Sequence, residues 1–387
     1  MTRVKGQERR VKSQTRGCAP RRGSGSRLST LGPRPSRSGI TLIELLITIL
    51  IISILAGLIL GVAAVAAETA REAHSRHMVT RLHTLLMEHY DSYKTRRVRL
   101  HSNTEMAINT QFGSNPSVRG RALAEARLYA LREMMLMEVP DRWSDVLFRD
   151  VGNPSPVAPS MALAPLYLAD RTSLSNVFLR RYAALVGRTN TLTGNANTAD
   201  EIRRNQGAEC LYMIITIACG DGEARTLFHE SDIGDSDGDG APEFLDGWGR
   251  PINFLRWAPG YDSQIQLNAN ALDTPPNVSA NWQAAATSDH DPFDVFRADP
   301  FAFRLVPLIY SPGPDEDSGL FSDPDFVTWR PPAPNNLSLS NTAPHIQNPR
   351  LSPYRKGSPP VLPSEYFGTP IDTTATDNIH NHLLGLR

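Results

Sequence analysis

Between Ile40 and Ala67 the chain reads I-T-L-I-E-L-L-I-T-I-L-I-I-S-I-L-A-G-L-I-L-G-V-A-A-V-A-A, with Glu44 as its only charged side chain. From Leu45 onward 23 residues pass without a charge. As an α-helix at about 1.5 Å per residue they span about 35 Å, more than the roughly 30 Å core of a bilayer. The pattern therefore predicts a transmembrane helix over residues 40–67. A secretory signal peptide has an apolar stretch of about 7 to 15 residues and a small-residue cleavage site. Ala63 to Ala67 imitate such a site, but the run before them is too long.

From Glu68 to about Arg99 there is no Gly or Pro, and Met78, Leu82, Leu85, Leu86 and Tyr93 recur at helical spacing. Arg71, Arg76, Arg81 and Lys94 supply the polar faces. Residues 68–99 are thus expected to continue the same helix as an amphipathic half. A second amphipathic helix is expected over 121–138, stopped by Pro140. Residues 151–198 read as an irregular insertion with one short helix at 173–186. Thr198 and Glu201 fit a capping box opening a helix over 201–219, which Gly220 ends. Ile252–Leu255 and Phe303–Tyr310 are candidate strands. From Pro331 the remaining 57 residues hold ten prolines among many Asn, Ser and Thr, which predicts an extended or disordered tail over 331–387.

Charge divides the chain further. Its 387 residues carry 40 Lys plus Arg and 40 Asp plus Glu, a formal net charge of zero. Yet residues 1–39 hold eleven bases and a single acid, Glu8, a net of +10, and the rest is correspondingly acidic. With almost no large apolar side chains, residues 1–39 read as a solvated basic leader that keeps the N-terminus in the cytoplasm and sends the bulk of the chain across the membrane. The zero balance argues against a nucleic-acid partner. Three cysteines exclude a disulfide-rich scaffold. Cys18 lies in the leader; Cys210 and Cys219 could pair in an oxidising compartment, although nine residues of continuous helix would set them about 13.5 Å apart, against a bridging limit of about 7 Å.

Glu44 demands a reason, because a carboxylate inside a membrane helix costs on the order of 3 kcal/mol. The stretch Ser38-Gly39-Ile40-Thr41-Leu42-Ile43-Glu44-Leu45-Leu46 resembles the processing site of type IV pilins and of the pseudopilins of type II secretion systems. The resemblance implies that a prepilin peptidase cuts after Gly39 on the cytoplasmic face and methylates Ile40, where the family usually has Phe or Met. Gly39 lets a peptidase approach the backbone closely. Glu44 becomes the fifth mature residue, able to neutralise the new amine within its own chain or in a neighbouring subunit. It would thereby act in recruitment and register.

In the head, Asp235-Ser-Asp-Gly-Asp-Gly240 is the densest chemical signal. Asp235, Asp237 and Asp239 at loop positions one, three and five, Gly240 at the turn and Asp246 at position twelve match the spacing of an EF-hand-type calcium loop, with Asp in place of the usual final Glu. The same residues could equally form a solvated acidic turn. Downstream, Asp246-Gly-Trp248-Gly249-Arg-Pro251 and Ser311-Pro-Gly313-Pro-Asp315 resemble the D-x-W-G-x-P and S-x-G-x-D stretches of the major type II secretion pseudopilin. There the second stretch lies in a calcium-dependent sheet, which makes Asp315 and Asp317 further candidate ligands. His380 and His382 read as exposed bystanders, and no Ser elbow, P-loop or metalloprotease motif marks an enzyme.

The expected fold is α+β: a single-pass membrane protein whose long N-terminal transmembrane-plus-amphipathic helix packs on a head domain, residues 100–330, with a small antiparallel sheet. The implied partners are prepilin peptidase, other pilin or pseudopilin subunits and an inner-membrane assembly platform. The competing reading is a permanently anchored, calcium-dependent extracytoplasmic binding protein that never polymerises.

Overall fold

A computed structural model describes residues 39–152, 155–219, 224–322, 353–354 and 366–383. The basic leader and most of the Pro-rich segment lie outside the described residues. The chain divides into two compact units, Met1–Gly61 and Val62–Arg387. In the first, the described residues begin helix α1 (Leu42–Ser92), whose apolar side chains Leu45 to Leu60 are all exposed. A helix that is apolar on all sides and that none of the described residues covers is built for lipid or for neighbouring helices. Its most apolar 18-residue stretch has a mean hydropathy of 3.0 and is wholly exposed, which makes the helix long and apolar enough to cross a membrane once.

In the second unit α1 turns amphipathic. Met78, Val79, Leu82, Leu86 and Tyr90 are buried along one stripe, and Tyr93 follows in a 3-10 turn, Tyr93–Thr95. Each such side chain contributes about 1.5–3 kcal/mol of burial, which fixes the stripe on the head.

The head is mostly helical. Helix α2 (Ser102–Phe112) was not foreseen, and α3 (Pro116–Glu138) begins earlier than expected because Asn115 caps the Val118 N–H at 3.3 Å and Pro116 occupies the first turn. Short α4 (Trp143–Leu147) precedes α5 (Ser173–Val186), which Thr172 caps. The Thr198–Glu201 capping box is present, but it opens only α6 (Ala199–Arg204). A break at Asn205 starts α7 (Gln206–Met213), continued by a π-helical turn, Ile214–Ala218.

Two small antiparallel sheets complete the fold. In the first, β1 (Ile233–Gly234) pairs with β2 (Glu243–Phe244) and brackets the acidic loop. In the second, β3 (Asn253–Leu255) pairs with β4 (Leu308–Ser311) in the register Phe254 to Ile309. Between them lie α8 (Ala269–Leu272) and α9 (Val278–Ser288), so the expected strand at 303–310 is confined to its last residues. On the far side of β4 stands β5 (Ile379–His380).

That strand corrects the reading of residues 331–387 as a wholly loose tail. Tyr310 pairs with His380 and Ser311 with Ile379, while Asn381 accepts the Ile309 N–H at 2.9 Å. His382, expected on the surface, is fully buried and bonds Ser263 at 3.0 Å. Proline density hid a short closing strand that completes the sheet.

Candidate functional site

At the start of α1, the Thr41 backbone N–H donates to Glu44 Oε2 at 2.9 Å, and the Glu44 N–H donates to Thr41 Oγ1 at 3.3 Å. This reciprocal pair is a capping box that satisfies two donors at the open helix end. T-L-I-E therefore carries a local helix-starting function that the resemblance alone did not reveal, and Glu44 has a partner before any cleavage. Gly39 precedes it, exposed, and a Cβ built there meets no described atom within 4 Å. Among the described residues, nothing in the fold calls for glycine at this position.

Further along α1, the D-x-W-G-x-P stretch grips the helix. The Gly247 N–H donates to Ser75 Oγ at 2.8 Å, and the Trp248 indole donates to Glu68 at 2.8 Å. A Cβ on Gly247 would lie 2.3 Å from the Arg71 carbonyl oxygen, so glycine is what allows the turn to touch the helix backbone. Asp246 organises that turn. Its Oδ1 accepts the Trp248 and Arg250 N–H groups at 2.8 and 2.9 Å, and its Oδ2 accepts Ser311 Oγ at 2.6 Å. Arg250 reaches the Gly313 carbonyl and pairs with Glu316 at 2.8 Å. The two distant stretches that resemble a pseudopilin thus meet in one clamp on α1.

The prokaryotic N-terminal methylation motif matches residues 34–60, and no curated protein or solved structure matches the chain. The chain carries a prepilin-type leader. This methylation motif is the hallmark of type IV pilins and pseudopilins, and its span covers Gly39, Ile40, the Thr41–Glu44 box and the exposed apolar start of α1. It supports a type IV pilin-like reading of the N-terminus, and among the described residues α1 is the one helix long and apolar enough to cross a membrane.

The acidic loop takes a form different from an EF-hand. Asp235 spends its oxygens on the Gly238 and Gly240 N–H groups, at 2.8 and 3.0 Å. Asn190 and Asn197 hold the carbonyls of Asp237 and Asp239, at 3.1 and 2.7 Å. Asp246 is committed to the clamp and falls outside the carboxylate cluster. Glu243 on β2 and Glu209 on α7, both missed by the sequence reading, stand beside Asp237 instead. Oxygens of Glu209, Asp237 and Glu243 lie within 4.8 Å of one another, as do those of Asp235, Asp237 and Asp239. Burial pushes the Asp239 and Glu243 carboxyls up to about 7, Asp237 upward and Glu209 well above the usual carboxylate range.

Asp315 and Asp317 lie outside both carboxylate groups. Each accepts a backbone N–H two residues on, from Asp317 at 3.1 Å and from Gly319 at 3.0 Å, and among the described residues neither joins a cluster of three ligand groups. The Cys210–Cys219 bridge is likewise absent. Both are free buried thiols, one within α7 and the other just past its π-helical turn, and the helical rise separates them. Burial pushes the Cys219 thiol up to about 12.

Proposed function

We propose that this chain is inserted in the inner membrane with its N-terminus cytoplasmic, cut after Gly39 by prepilin peptidase, N-methylated on Ile40, and assembled through α1 into a type II secretion pseudopilus or a type IV pilus. The observation that carries the reading is the methylation motif lying directly on the start of an uncovered apolar helix. Gly39 supports it as well: a glycine that serves no described contact in the fold fits a requirement imposed by an enzyme reading the extended leader.

Glu44 then does two jobs in succession. In the precursor its carboxylate caps α1 through Thr41. After cleavage the Ile40 amine arises one residue from that cap, and its positive charge offsets the cost of the carboxylate at the edge of the membrane. In a growing filament the same carboxylate can take the amine of the neighbouring subunit. The clamp formed by Asp246, Gly247 and Trp248 favours the pseudopilus over the adhesive pilus, because it unites the two stretches that resemble the pseudopilin.

Gly39→Val tests the processing step in cells that contain the inner-membrane assembly platform and the peptidase. The expected result is a full-length precursor that accumulates in the membrane with a normally folded head. Normal leader removal from this variant would overturn the assignment of Gly39. A permanently anchored binding protein predicts no processing in wild type either.

A further inference from the structure

Around Asp237 the head buries more carboxylate oxygens than its own donors satisfy. Asp237, Asp239, Glu243 and Glu209 are each at most 3% exposed. Glu209 Oε1, Asp237 Oδ2 and Asp239 Oδ2 are buried oxygens with no hydrogen-bond partner. Glu133 in α3 shows what a satisfied buried carboxylate looks like here: it accepts the N–H groups of Leu166, Tyr167 and Leu168 at 2.8 to 2.9 Å. An orphaned, buried carboxylate oxygen costs on the order of 1–3 kcal/mol or more, and carboxylates grouped within 4.8 Å repel one another whenever they ionise. A cation removes both penalties.

We propose that Glu209, Asp237 and Glu243 hold a divalent cation, calcium by its chemistry, with Asp239 and Asp235 flanking it on the other side of Asp237. The donors are all carboxylate oxygens, which select a hard ion over zinc or copper. They come from two separate elements, α7 and the β1–β2 hairpin, and the adaptable coordination of calcium suits such a site better than the strict octahedron and retained waters of magnesium. The remaining bonds fix the cage. Asn205, at the break before α7, donates to Glu243 at 3.0 Å, the Ser236 N–H donates to Glu243 at 2.9 Å, and the Trp143 indole N–H donates to Glu209.

The ion would act on the helix clamp. Glu243 stands three residues before Asp246 and four before Gly247, so fastening β2 to α7 also holds the turn that grips α1 at Ser75. This inference is independent of the processing and assembly reading; a head that binds calcium is equally compatible with an anchored, unprocessed chain.

The test uses the full-length protein in detergent micelles, titrated with calcium chloride or magnesium chloride after chelation. Calcium at about 100-fold excess over its Kd is expected to raise the melting midpoint by about 5 °C, with magnesium doing less. Glu209→Gln should lose the calcium increment. Terbium in place of calcium should show emission sensitised through Trp143, lost in Trp143→Phe. This second readout leaves every ligand intact and does not depend on the folding of Glu209→Gln. Wild type without a calcium shift, a full calcium increment in Glu209→Gln, or terbium emission unaffected by Trp143→Phe would each overturn the proposal.

Discussion

Removing the Asp246 carboxylate should uncouple α1 from the sheet at a predictable cost. Asp246→Ala deletes three charge-assisted hydrogen bonds, two from the Trp248 and Arg250 N–H groups and one from Ser311, in a side chain 5% exposed. Losing a charge-assisted partner costs about 1–3 kcal/mol per donor, and water reaching the part-buried Trp248 and Arg250 N–H groups recovers part of that, so a total of about 3–5 kcal/mol is expected. Ser311→Ala removes one of the three bonds and should cost about 1–1.5 kcal/mol. The double variant should show a coupling of about 1 kcal/mol, because Ser311 has little left to lose once Asp246 is gone. Urea denaturation of the full-length protein in micelles, followed by tryptophan fluorescence, reads all three values. The loss must persist in chelator, since the carboxylate acts through hydrogen bonds. A cost below about 1 kcal/mol, or a loss seen only with calcium present, would refute this reasoning and return Asp246 to the ligand set.

Gly247→Ala should move the turn off the helix, because the added methyl would meet the Arg71 backbone at 2.3 Å; a cost of about 2–4 kcal/mol with a more solvent-exposed Trp248 emission is expected, and an unchanged spectrum would contradict it. Acid should weaken the third strand of the sheet. Burial lowers the His382 imidazole to about 4 from its ordinary 6.5, so the unfolded chain takes the proton first. The stabilisation is complete above about pH 6.5 and is lost as pH falls toward 4, reaching roughly 2 kcal/mol at pH 5. Ser263, Tyr261 and His380 face the ring, and His83 acts on it at longer range. The difference in pH slope between wild type and His382→Gln from pH 7 to 5 isolates this group, and coincident slopes would refute it.

What could be read from the sequence was what short-range physics controls. The stop and start of α5 follow from Thr172 and from the apolar spacing of Phe178, Tyr182 and Leu185. The transmembrane run needed only its length, and the capping box at Thr198 needed only four residues. What escaped depends on partners far along the chain. Asn205 breaks the expected helix because its side chain serves Ser236 and Glu243, 31 and 38 residues later. β5 exists only because β4 offers it an edge, so no local apolar pattern announces it. Glu209 had a signal that could have been used: a single acid inside the otherwise apolar stretch Gly207–Ala218 needs a partner as much as Glu44 does. Thr41 and Glu44 likewise showed their S/T-x-x-E spacing openly, overshadowed by the larger motif around them.

The account stands on cleavage after Gly39. Mass spectrometry of the N-terminal peptide from protein extracted from the cell membrane decides it. The prediction is an N-terminal peptide beginning with N-methylated Ile40. A chain that still begins at Met1, or one cut within Ala63–Ala67 as a secretory signal would be, contradicts it.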